Sequence, residues 1–218
     1  MRFNGGAWTS FYGWTSFCSS SAHAIDKERS SSDLSSAQAR RRSRRRHLVL
    51  LPQPQVLSSD VGVVRATVED AELCFGIARA AAVAGFQHVF PADLHEFPGD
   101  AIRADWISAL TDPEGETYLA FEDDDAVGVV SVGHGVLQTL YVMPAFWSRG
   151  VGSVLHDHAL DRLRELNVRE ARLWTLTENH RARAFYEERG WSLTGRTRVV
   201  PFPPHPTDVE YARSTLRS

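Results

Sequence analysis

Residues 141–153 read Tyr141-Val142-Met143-Pro144-Ala145-Phe146-Trp147-Ser148-Arg149-Gly150-Val151-Gly152-Ser153, and this stretch decides the fold. Upstream, residues 136–142 are apolar apart from Gln138 and Thr139 and are rich in β-branched and aromatic side chains, as a largely buried strand requires. Downstream, Val151, Val154, Leu155, Ala159, Leu163 and Leu166 recur at helical spacing, with His156, Asp157, Asp161, Arg162 and Arg164 mostly on the opposite face. The two glycines therefore stand where a strand gives way to a helix. Backbone N–H groups are unpaired at such a junction and the helix dipole favours an anion, so the segment suits a phosphate-bearing ligand.

Two familiar phosphate loops are excluded. A P-loop requires a second glycine five residues after the first, followed by Lys and then Ser or Thr, and the chain holds no such run. The dinucleotide fingerprint needs a third glycine three positions after Gly152, where Leu155 stands. An isolated Gly-x-Gly more often shapes a tight turn than binds a ligand, so the order of the surrounding motifs has to decide.

Beyond the helix, residues 171–177 read as a strand carrying Leu173, Trp174 and Leu176. A short helix follows, with Asn179 as N-cap, Ala182, Phe185 and Tyr186 on one face, and Gly190 as the stop before Trp191. From Leu140 to Trp191 the chain resembles the acetyl-CoA-binding half of the GCN5-related N-acetyltransferase (GNAT) superfamily. Trp147-Ser148-Arg149-Gly150-Val151-Gly152 approximates its phosphate loop. Asn179, Ala182, Phe185, Tyr186 and Gly190-Trp191 approximate its second signature at matching offsets.

The likeness extends over roughly residues 61–216. Residues 65–71 look like the family's first strand entering its first helix, with Thr67 and Asp70 spaced as a capping box. Ile102, Trp106 and Leu110 suit an amphipathic second helix ending before Asp112-Pro113. Residues 117–121 and 126–132 read as a hairpin around Asp123-Asp124-Asp125, and 194–200 and 209–213 resemble the last two strands. The fold class implied is α/β (α+β): a mixed, mostly antiparallel sheet of six to seven strands, flanked by about four helices and splayed between the fourth and fifth strands.

About 155 residues is one ordinary domain able to bury a core. Cys18 and Cys74 have no partner spacing, so neither a disulfide framework nor a metal site is expected. Residues 1–60 differ in kind, holding 9 of the 24 Lys and Arg but only 4 of the 27 acids, with six arginines in the seven residues Arg40–Arg46. Self-repelling charge and sparse patterned apolar surface predict a disordered Ser/Arg-rich extension, with the acetyltransferase domain at 61–218. Nucleic-acid contact through the arginine run, a regulatory tail, a targeting segment or a non-native extension are the competing readings of it. Asp26, Glu28 and Asp33 sit badly in an organelle presequence, no stretch has the apolar length of a membrane span, and a cytoplasmic address is expected.

The resemblance also implies roles by position. The pantetheine arm of acetyl-CoA, the co-substrate, would pair with Leu140, Tyr141 and Val142 as an added strand. Its diphosphate would lie on Arg149, Gly150, Val151, Gly152 and Ser153. Asn179 would hydrogen-bond the amide arm, and Tyr186 would be the general acid for the leaving thiolate. A primary amine, free or on a peptide, would attack directly without an acyl-enzyme. Dimers are frequent in the family. Two departures stand out. Trp147 occupies a place usually held by Arg or Gln, and Gln138 and Val136 occupy places where a glutamate often helps deprotonate the amine. His134 and Glu178 are the nearest ionisable alternatives, leaving the base unassigned and an acyl-CoA-binding sensor without turnover as the rival reading.

Overall fold

The computed structural model describes residues 61–216 other than Glu96 and Phe202. The expectations for residues 1–60, Cys18 and the arginine run among them, lie outside the described residues. Thr67 and Asp70 start the first helix as their spacing predicts: the Asp70 carboxylate accepts from the Thr67 backbone N–H at 2.8 Å and from its hydroxyl at 3.1 Å. The order of elements is β1 (Gly62–Arg65), a 3-10 turn (Val68–Asp70), α1 (Ala71–Gly85), α2 (Gly99–Thr111), β2 (Gly115–Glu122), β3 (Asp125–Gly133) and β4 (Val136–Val142). A second 3-10 turn (Pro144–Phe146) precedes α3 (Val151–Glu165), β5 (Glu170–Leu176), α4 (His180–Glu187), β6 (Ser192–Val199) and β7 (Thr207–Ser214).

The seven strands lie in the order β1-β2-β3-β4-β5-β7-β6, antiparallel throughout except for the parallel neighbours β4 and β5. This is the sheet the resemblance implied. The β2–β3 hairpin turns at Asp123, whose φ of 55° is left-handed backbone that aspartate tolerates better than most side chains. On one face of the sheet α3 lays Val151, Leu155, Ala159, Leu160 and Leu163 into a core with Val127, Val130, Leu173 and Tyr211. On the other, α1 and α2 cover Leu119, Val129 and Leu176 with Phe75, Ile77, Ile102 and Trp106. Each fully buried leucine of α3 contributes roughly 1.5–3 kcal/mol relative to exposure, which holds the helix and its N-terminal loop in place. Cys74, on the inner face of α1, is buried, and that burial pushes its thiol up to about 12, so it stays an inert thiol.

The feature that creates a site is a failure of pairing. β4 and β5 share one register pair, Val136↔Arg172, reinforced by the Arg172 N–H donating to the Gly135 carbonyl at 3.2 Å. Past that point they separate. β5 instead continues on its other side with β7 over seven residue pairs, from Glu170↔Ser214 to Leu176↔Asp208. The far half of β4 is left with an edge that β5 does not cover, in the middle of the sheet.

Candidate active site

The gap between β4 and β5 holds a cavity of about 110 Å³ lined by residues of both cores. Leu140 and Tyr141 line it from β4, Trp174 and Thr175 from β5, and Asn179 and Tyr186 from the turn into α4 and from α4 itself. Leu140 and Tyr186 belong to the α3–α4 side, whereas Tyr141, Phe86 and Phe90 belong to the α1–α2 side. Two reactants could thus meet in one opening from opposite faces.

At its α3 end the loop is built by backbone geometry. Gly150, the N-cap of α3, has φ 89° and ψ −14°, and a Cβ placed there would meet nothing within 4 Å. Glycine is required at this position by conformation, since the left-handed region strains any residue with a Cβ. Its carbonyl accepts from Ser153 N–H at 2.9 Å and Val154 N–H at 3.1 Å. The N–H groups of Val151 and Gly152 have no acceptor within the helix, as the first turn of any helix dictates. Gly152 differs from Gly150. A Cβ there would touch Phe185 at 3.7 Å and Val142 at 3.8 Å, both ordinary contacts, so the position admits alanine.

Trp147, the residue that departs from the family pattern, turns out to brace the loop. Its indole N–H donates to the Val142 carbonyl at 2.7 Å, tying the loop to the end of β4. The Arg181 guanidinium lies 4.3 Å from the Trp147 ring and reaches the Ser148 hydroxyl at 3.4 Å. Arg189 donates to the Ser153 hydroxyl at 2.7 Å and stacks 3.7 Å over Phe185. Arg149 is held elsewhere, 2.9 Å from Glu122 and 4.8 Å over Phe146. The cations beside Ser148 and Ser153 therefore come from α4 and the turn after it, which the spacing around Gly150 could not reveal.

Asn179 accepts from the Ala182 N–H at 3.1 Å as the N-cap of α4, and its amide nitrogen lies 3.4 Å from the Thr175 hydroxyl. Tyr186 is 7% exposed, its ring packed edge-on against Phe185 and Trp191. Burial, with Tyr141 adding a smaller push, raises its phenol well above the ordinary value, so it keeps its proton at and above neutral pH. Tyr141 is shifted the same way by burial and by Asp208.

The two base candidates separate. His134 sits in the β3–β4 turn at φ 54°, bonded to Asp112 at 2.9 Å and Glu114 at 3.0 Å. That turn is at the closed end, where β4 and β5 still pair, and His134 does not line the cavity. Glu178 follows the end of β5, and its Oε2 is buried with no hydrogen-bond partner among the described residues. Gln138 lines the cavity from β4, and Val136 marks the last shared pair.

Asp208 is the acid that sequence reading missed. It is 5% exposed, lines the cavity from β7 and accepts both Arg198 bonds, at 2.7 and 2.9 Å, on Oδ2. Residues 208–211 alternate polar and apolar, a pattern that normally assigns the polar face to water. Here that face is covered, and Glu210, 2% exposed, is paired in turn with Arg196 at 3.2 Å. Among the described residues no group of His, Cys, Asp and Glu is arranged to hold a metal ion, and no helix is long and apolar enough to cross a membrane.

The sequence profile of the acetyltransferase (GNAT) family matches residues 79–191. A peptidyl-lysine N-acetyltransferase, YjaB, of Salmonella typhimurium is 31% identical over 118 residues, covering 50% of this chain and 77% of its own length. The mycothiol acetyltransferase of Beutenbergia cavernae is 36% identical over 93 residues, 36% of this chain and 31% of that protein. A GCN5-related N-acetyltransferase structure from Rhodopseudomonas palustris superposes with a TM-score of 0.63 at 19% identity, over 74% of this chain and 99% of that one. The PaiA N-acetyltransferase of Thermoplasma acidophilum, solved in complex with coenzyme A, gives 0.54 at 16% identity, over 69% and 98%. At such identities the structures speak for the fold, while the profile and the sequence relatives speak for descent. With its glycine loop, its split sheet and its Asn179–Tyr186 helix in one frame, the chain belongs to the acetyltransferase (GNAT) family, and its activity class is that of an N-acetyltransferase.

Proposed function

We propose that residues 61–218 form a domain that moves the acetyl group of acetyl-CoA to a primary amine by direct attack in a ternary complex. The observation that carries this reading is the separation of β4 from β5 past Val136↔Arg172, with Tyr186 buried against the opening. The residues fit such a co-substrate. The uncovered edge of β4 at Leu140, Tyr141 and Val142 suits the extended amide arm. Val151, Gly152 and Ser153 offer helix-terminal donors to the diphosphate, the left-handed Gly150 keeps Cβ bulk off the loop, and Asn179 stands beside the arm. Arg181 and Arg189 are the cations proposed for the diphosphate, ahead of Arg149, which Glu122 already holds. The thioester supplies the activated acetyl group. Tyr186 holds the proton for the departing thiolate, and its burial keeps that proton in place until it is needed.

The peptidyl-lysine acetyltransferase relative makes a lysine side chain the first acceptor to try. Two measurements test the reading together: calorimetric binding of acetyl-CoA, and thiol release over a library of amines and peptides with Tyr186→Phe as control. Binding with turnover that falls in the variant supports the enzyme. Binding without turnover on any acceptor supports the sensor, and no binding removes both.

A further inference from the structure

On the α1–α2 side the opening is lined by charge that the donor site does not use. Trp174 stands on β5 with Arg198 at 4.5 Å and Arg196 at 5.8 Å from its ring. Register places Asp208 opposite Leu176 on one side and opposite Arg198 on the other. Asp208 and Arg198 line the opening; Glu210 lies two positions further along β7, and Glu178 is near enough for Asp208 to feel its charge. Arg196 is taken by Glu210 and Arg198 by Asp208. Glu178 is left over, with its buried Oε2 unpartnered, close enough to Asp208 to oppose its ionisation. Burial pushes the Asp208 carboxyl above its ordinary value, and Glu178 adds to this against the pull of Arg198. Both Arg198 bonds fall on Oδ2, and no described residue bonds Oδ1. The wall around it is apolar: Phe86, Phe90, Leu176 and Val200.

A site with a carboxylate oxygen of Asp208 that no described residue bonds, a second carboxylate whose buried oxygen has no partner, and an apolar wall is complementary to an ammonium group on an aliphatic stem. From this juxtaposition we infer that Asp208, oriented by Arg198 and supported by Glu178, is the specificity-determining residue that receives the acceptor's ammonium. The substrate class is therefore a primary amine that is cationic in solution and carries no anion next to its nitrogen, since a neighbouring carboxylate would meet Asp208 and Glu178. This assignment deepens the acetyl-transfer reading and rests on it. It also accounts for the missing acid at Gln138 and Val136: the carboxylate that meets the amine comes from β7 in place of β4.

The test uses n-hexylamine, cationic at neutral pH, and 1-hexanol, its uncharged counterpart, titrated by calorimetry into the protein saturated with coenzyme A. Hydrogen bonds to a charged group predict that the wild type binds the amine roughly 10-fold or more tightly than the alcohol. Asp208→Asn abolishes that preference while leaving coenzyme A affinity unchanged, and Glu178→Gln reduces it. Arg198→Gln narrows it, because Arg198 orients Asp208 and holds its carboxyl ionised against burial and Glu178, whereas a merely structural Asp208–Arg198 pair would lose binding of both probes alike. A wild type that treats the two probes alike overturns the assignment even where Asp208→Asn does not fold, as does an Asp208→Asn protein that keeps the preference. Failure of coenzyme A to bind is a separate outcome, and it strikes the acetyl-transfer reading itself.

Discussion

Exchanging each glycine of the loop for alanine should give two opposite results, although the sequence makes the two look equivalent. At Gly150 the backbone is at φ 89°, and the open space around it means that the whole cost of Gly150→Ala is conformational. A left-handed non-glycine residue costs about 1–2 kcal/mol, and in a domain of this size each kcal/mol lowers Tm by roughly 2–4 °C. The protein can relieve the strain only by rotating the peptide that leads into α3, which moves the Val151 and Gly152 N–H groups. Acetyl-CoA affinity should therefore fall roughly 10-fold or more together with Tm, since a misaligned charge-assisted bond to phosphate forfeits roughly 1.5–3 kcal/mol. At Gly152 the added methyl meets Phe185 and Val142 at ordinary distances, inside a helix where alanine is favoured over glycine by up to about 1 kcal/mol. Gly152→Ala should keep or raise Tm and leave affinity within about twofold, because its methyl points at Phe185 and away from the anion side. Thermal melts followed by circular dichroism and calorimetric titration of acetyl-CoA read both quantities. If Gly152→Ala proves the more damaging of the two, or if Gly150→Ala lowers Tm and leaves affinity untouched, the loop does not act through its backbone.

Three further outcomes follow from the geometry. Tyr186→Phe should lower kcat about 100-fold or more while leaving acetyl-CoA binding nearly unchanged, read by thiol release and calorimetry; loss limited to a few-fold would take the acid role from Tyr186. Trp147→Phe removes the 2.7 Å tie to the Val142 carbonyl and should cost about 1 kcal/mol of stability and weaken acetyl-CoA binding several-fold, while Trp147→Phe indistinguishable from wild type would mean that the ring alone braces the loop. His156 is fully buried, accepts from the Trp191 indole at 3.0 Å and bonds Asp157 at 2.9 Å, and burial lowers its pKa below the ordinary value. Its folded form binds a proton less readily than its unfolded form, so stability is full above about pH 6.5 and declines as pH falls below that. His158 is lowered by burial too and acts with the same sign. Melting temperature should accordingly drop between about pH 7 and 5, and His156→Gln, though less stable at neutral pH, should show a shallower drop; an unaltered slope would assign the effect to other groups.

Much of the fold was legible because it depends on local pattern. The Thr67–Asp70 box, the helical repeat of Ile102, Trp106 and Leu110, the turn at Asp123 and the Asn179 cap are each settled within a few residues by hydrogen bonds and steric limits that neighbours impose on one another. All four stand in the structure where the sequence placed them. The glycine loop was legible for the same reason, since strand, glycine and helix are adjacent in the chain. His134 looked available in the sequence because nothing nearby in the chain shows that Asp112, 22 residues earlier, closes on it.

What only the tertiary structure decided are the pairings between distant segments. The chain alone says that a strand precedes Gly150. That its far half is abandoned by β5 depends on β7 pairing with β5 along its whole length, a contact across more than thirty residues. Asp208 and Glu210 follow a period-2 pattern that assigns them to solvent, yet both are buried, and Phe86 and Phe90 beyond α1, with the neighbouring strands, make Asp208 part of a cavity wall. Arg181 and Arg189 likewise acquire their places from residues remote in sequence. Local chemistry fixes which backbone groups lack partners, whereas burial and charge are sums over whatever the fold brings near, and a one-dimensional pattern does not contain that sum.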